Sequence, residues 1–159
     1  MTEIRLDRVS TFGDQLSFLI PHDWIESNEE TDRYLYHAPH ADSGWFRVSL
    51  LTLRGSGKAS PERLREIMSK RARKEGGRLF EFGSNLVVAW EQLSQEDGVP
   101  IRDYWWAVSH SHSPDLGHEA LFSYTVPRTR QDNPETNETV ALLSRLVSDA
   151  RFALPSKSD

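Results

Sequence analysis

The segment Leu86–Ser109 reads LVVAWEQLSQEDGVPIRDYWWAVS and contains two apolar and aromatic runs separated by a polar turn. Asp97 and Gly98 occupy the turn, and an Asp-Gly pair between apolar runs is a strong signal for a β-hairpin. Because successive strand residues point to opposite faces, one alternating set is predicted to line the core: Tyr104, Trp106 and Val108. Asp103 and Trp105 are then predicted to lie on the opposite face of the same strand.

Five further runs on either side of this hairpin have the composition of strands. Each is short, rich in apolar or aromatic residues and bounded by residues typical of turns; the runs are Leu16–Ile20, Arg33–Ala38, Trp45–Leu53, Arg78–Phe82 and Ala120–Val126. Apolar residues occupy both alternating sets of Trp45–Leu53, so both faces of that strand are predicted to be covered.

Two helices are indicated by their first residues. Ser60–Pro61 and Asn133–Pro134 each combine an N-cap residue with a proline at the first helical position, and Gly76 is predicted to end the first helix. Short turns between consecutive strands favour antiparallel pairing. The predicted fold class is α+β, an antiparallel sheet flanked by helices in an α/β/α sandwich. Residues 1–153 are predicted to form one domain, and residues 154–159 a disordered tail.

The composition of the 159-residue chain indicates a globular domain and excludes several function classes. With 37% apolar residues and five tryptophans, the chain has enough apolar material for a core. The absence of cysteine excludes disulfides, thiol catalysis and cysteine-bound zinc. A net charge of −5 argues against nucleic acid as a partner, and no apolar run is long enough for a membrane span. The opening MTEIRLDRVS lacks the apolar segment of a secretion signal, so a cytoplasmic location is expected.

Motifs for catalysis and for nucleotide binding are missing from the sequence. Gly55–Lys58 (GSGK) lies between a strand and a helix, but Thr52 and Ala59 replace the first glycine and the final hydroxyl residue of a phosphate-binding loop. The nucleophile motif G-x-S-x-G is also missing. We therefore predict a protein that is not an enzyme and needs no cofactor. A hydrolase with a His–carboxylate pair is the weaker alternative.

The segment 110–118, HSHSPDLGH, collects metal-ligating side chains, namely His110, His112, Asp115 and His118. If the preceding strand continues, His110 and His112 point to the same face, and imidazoles with a carboxylate suit Zn²⁺ or a related ion. Serine, proline and glycine in the same segment instead indicate a loop with solvated histidines. A metal or small-ligand site formed by these four residues is the alternative function that the sequence suggests.

The order of these features resembles the PsbP-like superfamily. The run Leu16–Ile20 leads into Pro21-His-Asp-Trp24, a Ser-Pro-Glu helix start follows at 60–62, and the closing helix ends in LVSDARF at 146–152. This superfamily includes the photosystem II extrinsic subunit, a yeast Ran-binding nuclear import factor and bacterial domains, some of them adaptor chaperones for type VI secretion effectors. The resemblance covers about residues 10–153 and implies an α/β/α sandwich with a binding or accessory role. It implies no functional residue, and we interpret Pro21 and Trp24 as structural.

Together these observations predict a cytoplasmic domain, monomeric or dimeric, that works by binding another protein. A secretion adaptor or an immunity-type protein is the most concrete version of this role. Strand alternation selects four candidate partner-binding residues on sheet faces or loops, with tryptophans as the apolar contacts and charged neighbours beside them; they are Trp45, Arg47, Asp103 and Trp105.

Overall fold

The computed structural model describes residues 4–30, 33–40 and 44–155. All strand pairs in these ranges are antiparallel. The strands are β1 (Leu6–Thr11), β2 (Leu16–Pro21), β3 (Ile25–Glu30), β4 (Arg33–His37), β5 (Trp45–Arg54), β6 (Arg78–Phe82), β7 (Asn85–Glu96), β8 (Val99–Ser113), β9 (Leu116–Pro127) and β10 (Arg151–Phe152). The helices are α1 (Pro61–Glu75), α2 (Pro134–Ser148) and a single 3₁₀ turn at Arg128–Arg130.

The strands form two sheets. The larger sheet has seven strands in the order β3-β4-β5-β9-β8-β7-β6, and the smaller has three in the order β1-β2-β10. The predicted hairpin is formed by β7 and β8, with Trp90 opposite Trp105. Its turn residues Asp97 and Gly98 both have positive φ, 51° and 78°, as the tight turns favoured in β-hairpins require. The strand prediction for this segment is therefore confirmed.

The two faces of the seven-stranded sheet are covered differently. The core face packs against the small sheet and α2, and its centre is aromatic: Phe18 meets Phe122 edge-on at 5.4 Å between ring centroids, and Phe46 stacks on Phe122 at 5.8 Å. The outer face packs against α1, where Met68 closes a second cluster with Val88, Trp90 and Ala107. The predicted three-layer α+β arrangement is confirmed, with one difference: the core-face layer contains a small sheet as well as a helix.

Both helices begin as predicted, and α1 also ends where Gly76 predicted. The Ser60 side chain accepts a hydrogen bond from the Arg63 backbone N–H at 3.1 Å, and Asn133 accepts one from Glu135 at 2.9 Å. Gly76 ends α1 in the left-handed conformation at φ 67°. The next residue, Gly77, crosses β7 so closely that a Cβ would lie 2.5 Å from the Ala89 carbonyl oxygen. These contacts fix where α1 leaves the outer face.

Several sequence expectations are wrong in detail. Strand β3 was not predicted, because its segment IESNEE is polar and pairs at the edge of the sheet. The segment 110–118 is not a loop but the tight end of the β8–β9 hairpin. The β5 strand is not covered on both faces, since Trp45 on its outer face is 41% exposed. Leu154 and Pro155 lie outside every helix and strand, and the rest of the predicted tail, 156–159, lies outside the described residues.

Neither of the two long helices that the structure describes has the length and apolarity needed to cross a membrane.

Candidate functional site

Part of the outer face extends beyond α1, which packs mainly on β7 with smaller contacts on β6 and β8. We call this part the open face. Strand register places five of its residues in one row across five strands, namely Ile25, His37, Trp45, Thr125 and Asp103. The neighbouring row contains Arg47, Ser123 and Trp105. The four partner-binding residues predicted from the sequence therefore lie on one face, in two adjacent rows.

A hydrogen-bonded polar network crosses four strands of the open face. Both carboxylate oxygens of Asp103 accept hydrogen bonds, from Thr125 Oγ1 at 2.5 Å and from Ser94 Oγ at 3.0 Å. Arg47 donates to Thr125 Oγ1 at 3.4 Å and forms an ion pair with Glu96 at 3.2 Å. Asp103 is only 6% exposed, so these two hydroxyl donors replace the water that its charge loses on burial. Asp103 therefore holds Thr125, and through it Arg47, in place.

An apolar patch adjoins this network at the outer end of the row. Trp45 contacts the imidazole of His37 with 4.7 Å between ring centroids, and Ile25 pairs with His37 on the next strand. Ile25 is 46% exposed and Trp45 41%. Most large apolar side chains of this domain are buried, so two exposed ones in one row are informative. We call Ile25, His37 and Trp45 the aromatic patch.

Trp105 lies where the open face passes under α1. Its ring stacks on Trp90 with centroids 5.9 Å apart and planes 7° from parallel, and it packs against the Met68 cluster. Its indole N–H is buried without a hydrogen-bond partner in the described part of the chain. Arg71 lies over Trp90 at 5.6 Å and so covers the pair from the helix side. The structure thus gives Trp105 a packing role at the border of the open face.

The three histidines of segment 110–118 meet on the core face, on the other side of the sheet. His112 Nε2 and His118 Nδ1 are 2.9 Å apart, and the ring of His110 lies 4.9 Å from that of His112. Phe152 of β10 stacks on His110 and His118 at 5.6 and 5.8 Å. Gln15 approaches His118 Nε2 at 3.0 Å. The cluster therefore joins the β8–β9 hairpin to the small sheet.

Burial lowers the pKa of all three imidazoles. The pKa of His118 falls to about 4, first because of desolvation and then because His112, His110 and Arg54 bring positive charge close. Desolvation also lowers the pKa of His110 and of His112. No carboxylate contributes to these three shifts. The cluster is therefore neutral at pH 7, the form in which each ring donates one hydrogen bond and accepts another, and the form that binds metals.

Asp115, the fourth predicted ligand, is held elsewhere in the hairpin. Its carboxylate accepts the Gly57 backbone N–H at 2.8 Å, and its carbonyl accepts that of Gly55 at 3.0 Å. Asp115 thus accepts hydrogen bonds from two backbone N–H groups of the GSGK turn. In the described residues no group of three or more histidine, aspartate or glutamate side chains has a metal-binding arrangement. The metal site of the sequence analysis stays a prediction, with three of its four members in contact.

A His–carboxylate pair exists at His22 and Asp7, which are 2.7 Å apart. Both side chains are about half exposed, and within the described ranges no serine, threonine or tyrosine hydroxyl hydrogen-bonds to His22. The geometry of a nucleophile aligned by a base is therefore missing at this pair.

Sequence reasoning missed several residues of the open face, namely Ile25, His37, Ser94, Glu96 and Thr125. Alternation within one strand selects a face, but only the register between strands shows which residues meet across it. Ser94 and Glu96 had a usable signal, since the Asp97–Gly98 turn fixes Ser94 opposite Ile101 and hence beside Asp103. Ile25 had none, because β3 was not recognised as a strand, and His37, although on a predicted strand, is brought to this face only by the pairing of β4 with β5.

The chain is similar in fold to two solved protein structures. No family model matches the chain, and no curated protein matches it. A crystal structure of a protein from Bacteroides thetaiotaomicron superposes with a TM-score of 0.62 at 18% identity, over 96% of this chain and 50% of that one. The chain thus spans about half the length of that protein. The solution structure of cyanobacterial PsbP (CyanoP) from Synechocystis also matches, with a TM-score of 0.42, 13% identity and coverage of 96% and 95%. The α+β fold class predicted from the sequence is confirmed by the sheets and helices of the structure, and the similarity of this chain to the Bacteroides protein is one of fold.

Proposed function

We propose that this domain is a non-enzymatic binding module that holds another protein against its open face. The observation that supports this proposal is the aromatic patch, in which Trp45 and Ile25 are exposed on either side of His37 in one row, next to a hydrogen-bonded polar network. The partner is expected to offer an apolar depression for Trp45.

The physical argument concerns what Trp45 gains on binding. Tryptophan and arginine are enriched among the residues that dominate protein–protein affinity, because they bury a large area while keeping a polar contact. The exposed part of Trp45 is area that a partner removes from water, at about 25 cal/mol per Å². His37 already lies against the ring, so little side-chain freedom is lost when the partner binds.

Arg47 supports the same surface from the polar side. Thr125 and Glu96 hold its guanidinium before any partner arrives. A charged group that is already oriented and paired forms a polar rim at low entropic cost. The role of secretion adaptor or immunity-type protein follows if the captured partner is an effector or a toxin.

The test is a quantitative pull-down from native lysate with three versions of the full chain. Wild type, Trp45→Ala and the control Leu93→Ala are compared by mass spectrometry. Leu93 is 53% exposed and lies on the opposite face of the sheet, so the control removes a similar apolar side chain. We expect one partner that is retained by wild type and Leu93→Ala and reduced at least about tenfold by Trp45→Ala.

The proposal fails if the partner is retained equally by Trp45→Ala, or if Leu93→Ala loses it as well. Light scattering of the purified chain provides the second readout. A dimer that dissociates in Trp45→Ala would mean that the open face binds a second copy of this chain, contrary to the proposal of a different protein.

Metal binding is the second candidate. The three imidazoles are neutral and in contact, and His112 and His118 would have to turn from the hydrogen bonds that they now make in order to hold an ion. Zn²⁺ titration of protein purified without a histidine tag, followed by calorimetry and thermal melting, tests it. A stoichiometric ion that is lost in His110→Ala would support the candidate. Unchanged melting in excess zinc would exclude it, because a bound ion stabilises the state that binds it.

A further inference from the structure

A groove of about 920 Å³ lies between α2 and the edge of the large sheet, away from the aromatic patch. It exists because β6 pairs with β7 only from Asn85 to Ala89, so that the edge of β7 beyond Ala89 has no strand beside it. Small-molecule sites in proteins commonly have volumes of about 300–1,000 Å³. The groove is therefore large enough for a ligand of moderate size.

The lining of this groove combines apolar surface with positive charge. Val140 and the exposed Ala141 form an apolar wall on α2, whereas Tyr104 and Trp106 at the base are only 5% and 2% exposed. Three arginines line it: Arg78, Arg102 and Arg145. The chain as a whole carries a net charge of −5, so a cluster of three cations is unusual for it.

The carboxylates in the groove act on only one of these arginines. Glu91 forms an ion pair with Arg102, and Glu91 and Asp132 both raise its pKa. Arg78 lies over the Phe80 ring at 6.0 Å. Neither Arg78 nor Arg145 has an ion pair with any residue that the structure describes. Two guanidinium groups thus line the groove without a counter-charge.

We propose that this groove binds a small organic anion with a flat apolar body. Arg78 and Arg145 pair with the acidic group of the ligand, because guanidinium is suited to carboxylate and sulfonate oxygens. The apolar body lies against Val140 and Ala141 on α2 and gains from burial of apolar surface. The groove shares Trp105 with the border of the open face, but neither Trp45 nor Ile25 of the aromatic patch lines it.

The test uses two fluorescent probes that share an aromatic body. 8-Anilinonaphthalene-1-sulfonate carries a negative charge, and N-phenyl-1-naphthylamine is its uncharged counterpart. Each is titrated into the full chain at pH 7 by fluorescence and by calorimetry. We expect saturable binding of the sulfonate with one site per chain, and at least about tenfold weaker binding of the uncharged probe.

Three variants of the full chain assign the binding to this groove. Arg78→Gln/Arg145→Gln is expected to weaken the sulfonate at least about tenfold. Ala141→Trp, an exposed position on the α2 wall, is expected to abolish binding by filling the space. Arg5→Gln/Arg8→Gln is the control, since it removes two exposed cations on or beside β1 and changes the net charge equally. Circular dichroism confirms that each variant is folded.

Three results would each overturn the proposal. The first is the absence of saturable sulfonate binding to the wild-type chain. The second is equal affinity for the charged and the uncharged probe. The third is wild-type affinity in either groove variant, or a loss in the Arg5/Arg8 control as large as that in the Arg78/Arg145 variant, which would indicate attraction by net charge alone.

Discussion

Trp45 and Phe46 are neighbours in the chain that point to opposite faces of β5. Phe46 is fully buried among the core aromatics, whereas Trp45 is 41% exposed. We predict that Phe46→Ala lowers the free energy of unfolding by about 3–5 kcal/mol, and that Trp45→Ala lowers it by less than about 1 kcal/mol. Urea unfolding of both variants measures this difference. A cost for Trp45→Ala as large as that of Phe46→Ala would mean that Trp45 serves packing and is not free for a partner.

Asp103 gives a second prediction at this scale. Asp103→Ala leaves the Thr125 and Ser94 hydroxyls without their acceptor, and Thr125 is buried. We expect a loss of about 1–3 kcal/mol in the free energy of unfolding, because the removal of one partner leaves a buried polar group unsatisfied. Asp97→Ala in the exposed turn changes the same charge but also alters a residue with positive φ, so Asp23→Ala, at an exposed position, is the control. A loss below about 0.5 kcal/mol for Asp103→Ala would contradict the structural role of the network.

Among single residues, strand alternation alone predicted most of what the structure shows. It placed Tyr104, Trp106 and Val108 in the core and Asp103 and Trp105 on the other face, and it selected Trp45 and Arg47 without assigning them to the same face. It did not show that Asp103 is buried within a network or that Trp105 stacks on Trp90 under α1. Those contacts join residues that are distant in the chain, and they follow from register and helix placement, which local patterns do not encode.

At the scale of elements, the histidine cluster makes the connection between the β8–β9 hairpin and β10 dependent on pH. Its imidazoles have lowered pKa values, that of His118 falling from 6.5 to about 4, so the unfolded chain binds protons more readily than the folded one. The stabilisation is complete above pH 6.5 and is lost as the pH falls toward 4. At about 1.4 kcal/mol per pH unit, His118 alone accounts for about 3 kcal/mol at the acid end.

The measurement is urea unfolding of wild type and of His118→Gln at pH 7.5, 6, 5 and 4.5. Other acids titrate in both proteins, so the difference between the two isolates the histidine. We expect the wild type to lose more stability than the variant between pH 6.5 and 4.5. Parallel curves for the two proteins would show that His118 is not held neutral in the folded state.

The start of α1 is a further element that the sequence predicted and that can be measured. Ser60 caps the helix through its hydroxyl oxygen, so Ser60→Ala is expected to cost about 1 kcal/mol and Ser60→Asp close to nothing. Thermal or urea unfolding of the pair tests this. If both variants are destabilised equally, the side-chain cap is not what stabilises α1.

Elements were predictable where the sequence carries a strong local signal. The Asp97–Gly98 turn and the two proline-led helix starts are such signals, and all three are confirmed. Strand β3 was missed because IESNEE has neither alternation nor apolar content, and it pairs with β4 only at the sheet edge. The hairpin end at 113–116 was taken for part of a loop, because serine, proline and glycine are equally common in tight turns.

For the whole molecule, the sequence predicted the α+β layers but not how far each layer extends. The small sheet and α2 together cover the core face, whereas α1 covers only the β6–β7–β8 side of the outer face. This unequal coverage depends on the crossover between β5 and α1 and on the close passage of Gly77 over β7. It leaves the aromatic patch exposed, and the proposed function depends on that exposure.

Hydrogen exchange of the purified chain, alone and with the partner identified by pull-down, tests most directly whether the open face binds that partner. We predict that the partner slows exchange in β4 and in the first half of β5, which carry His37, Trp45 and Arg47, and leaves the α2 groove and the histidine cluster unchanged. Slower exchange confined to α2 or to the β8–β9 turn, with β4 and β5 unchanged, would contradict the proposal that the open face is the binding surface.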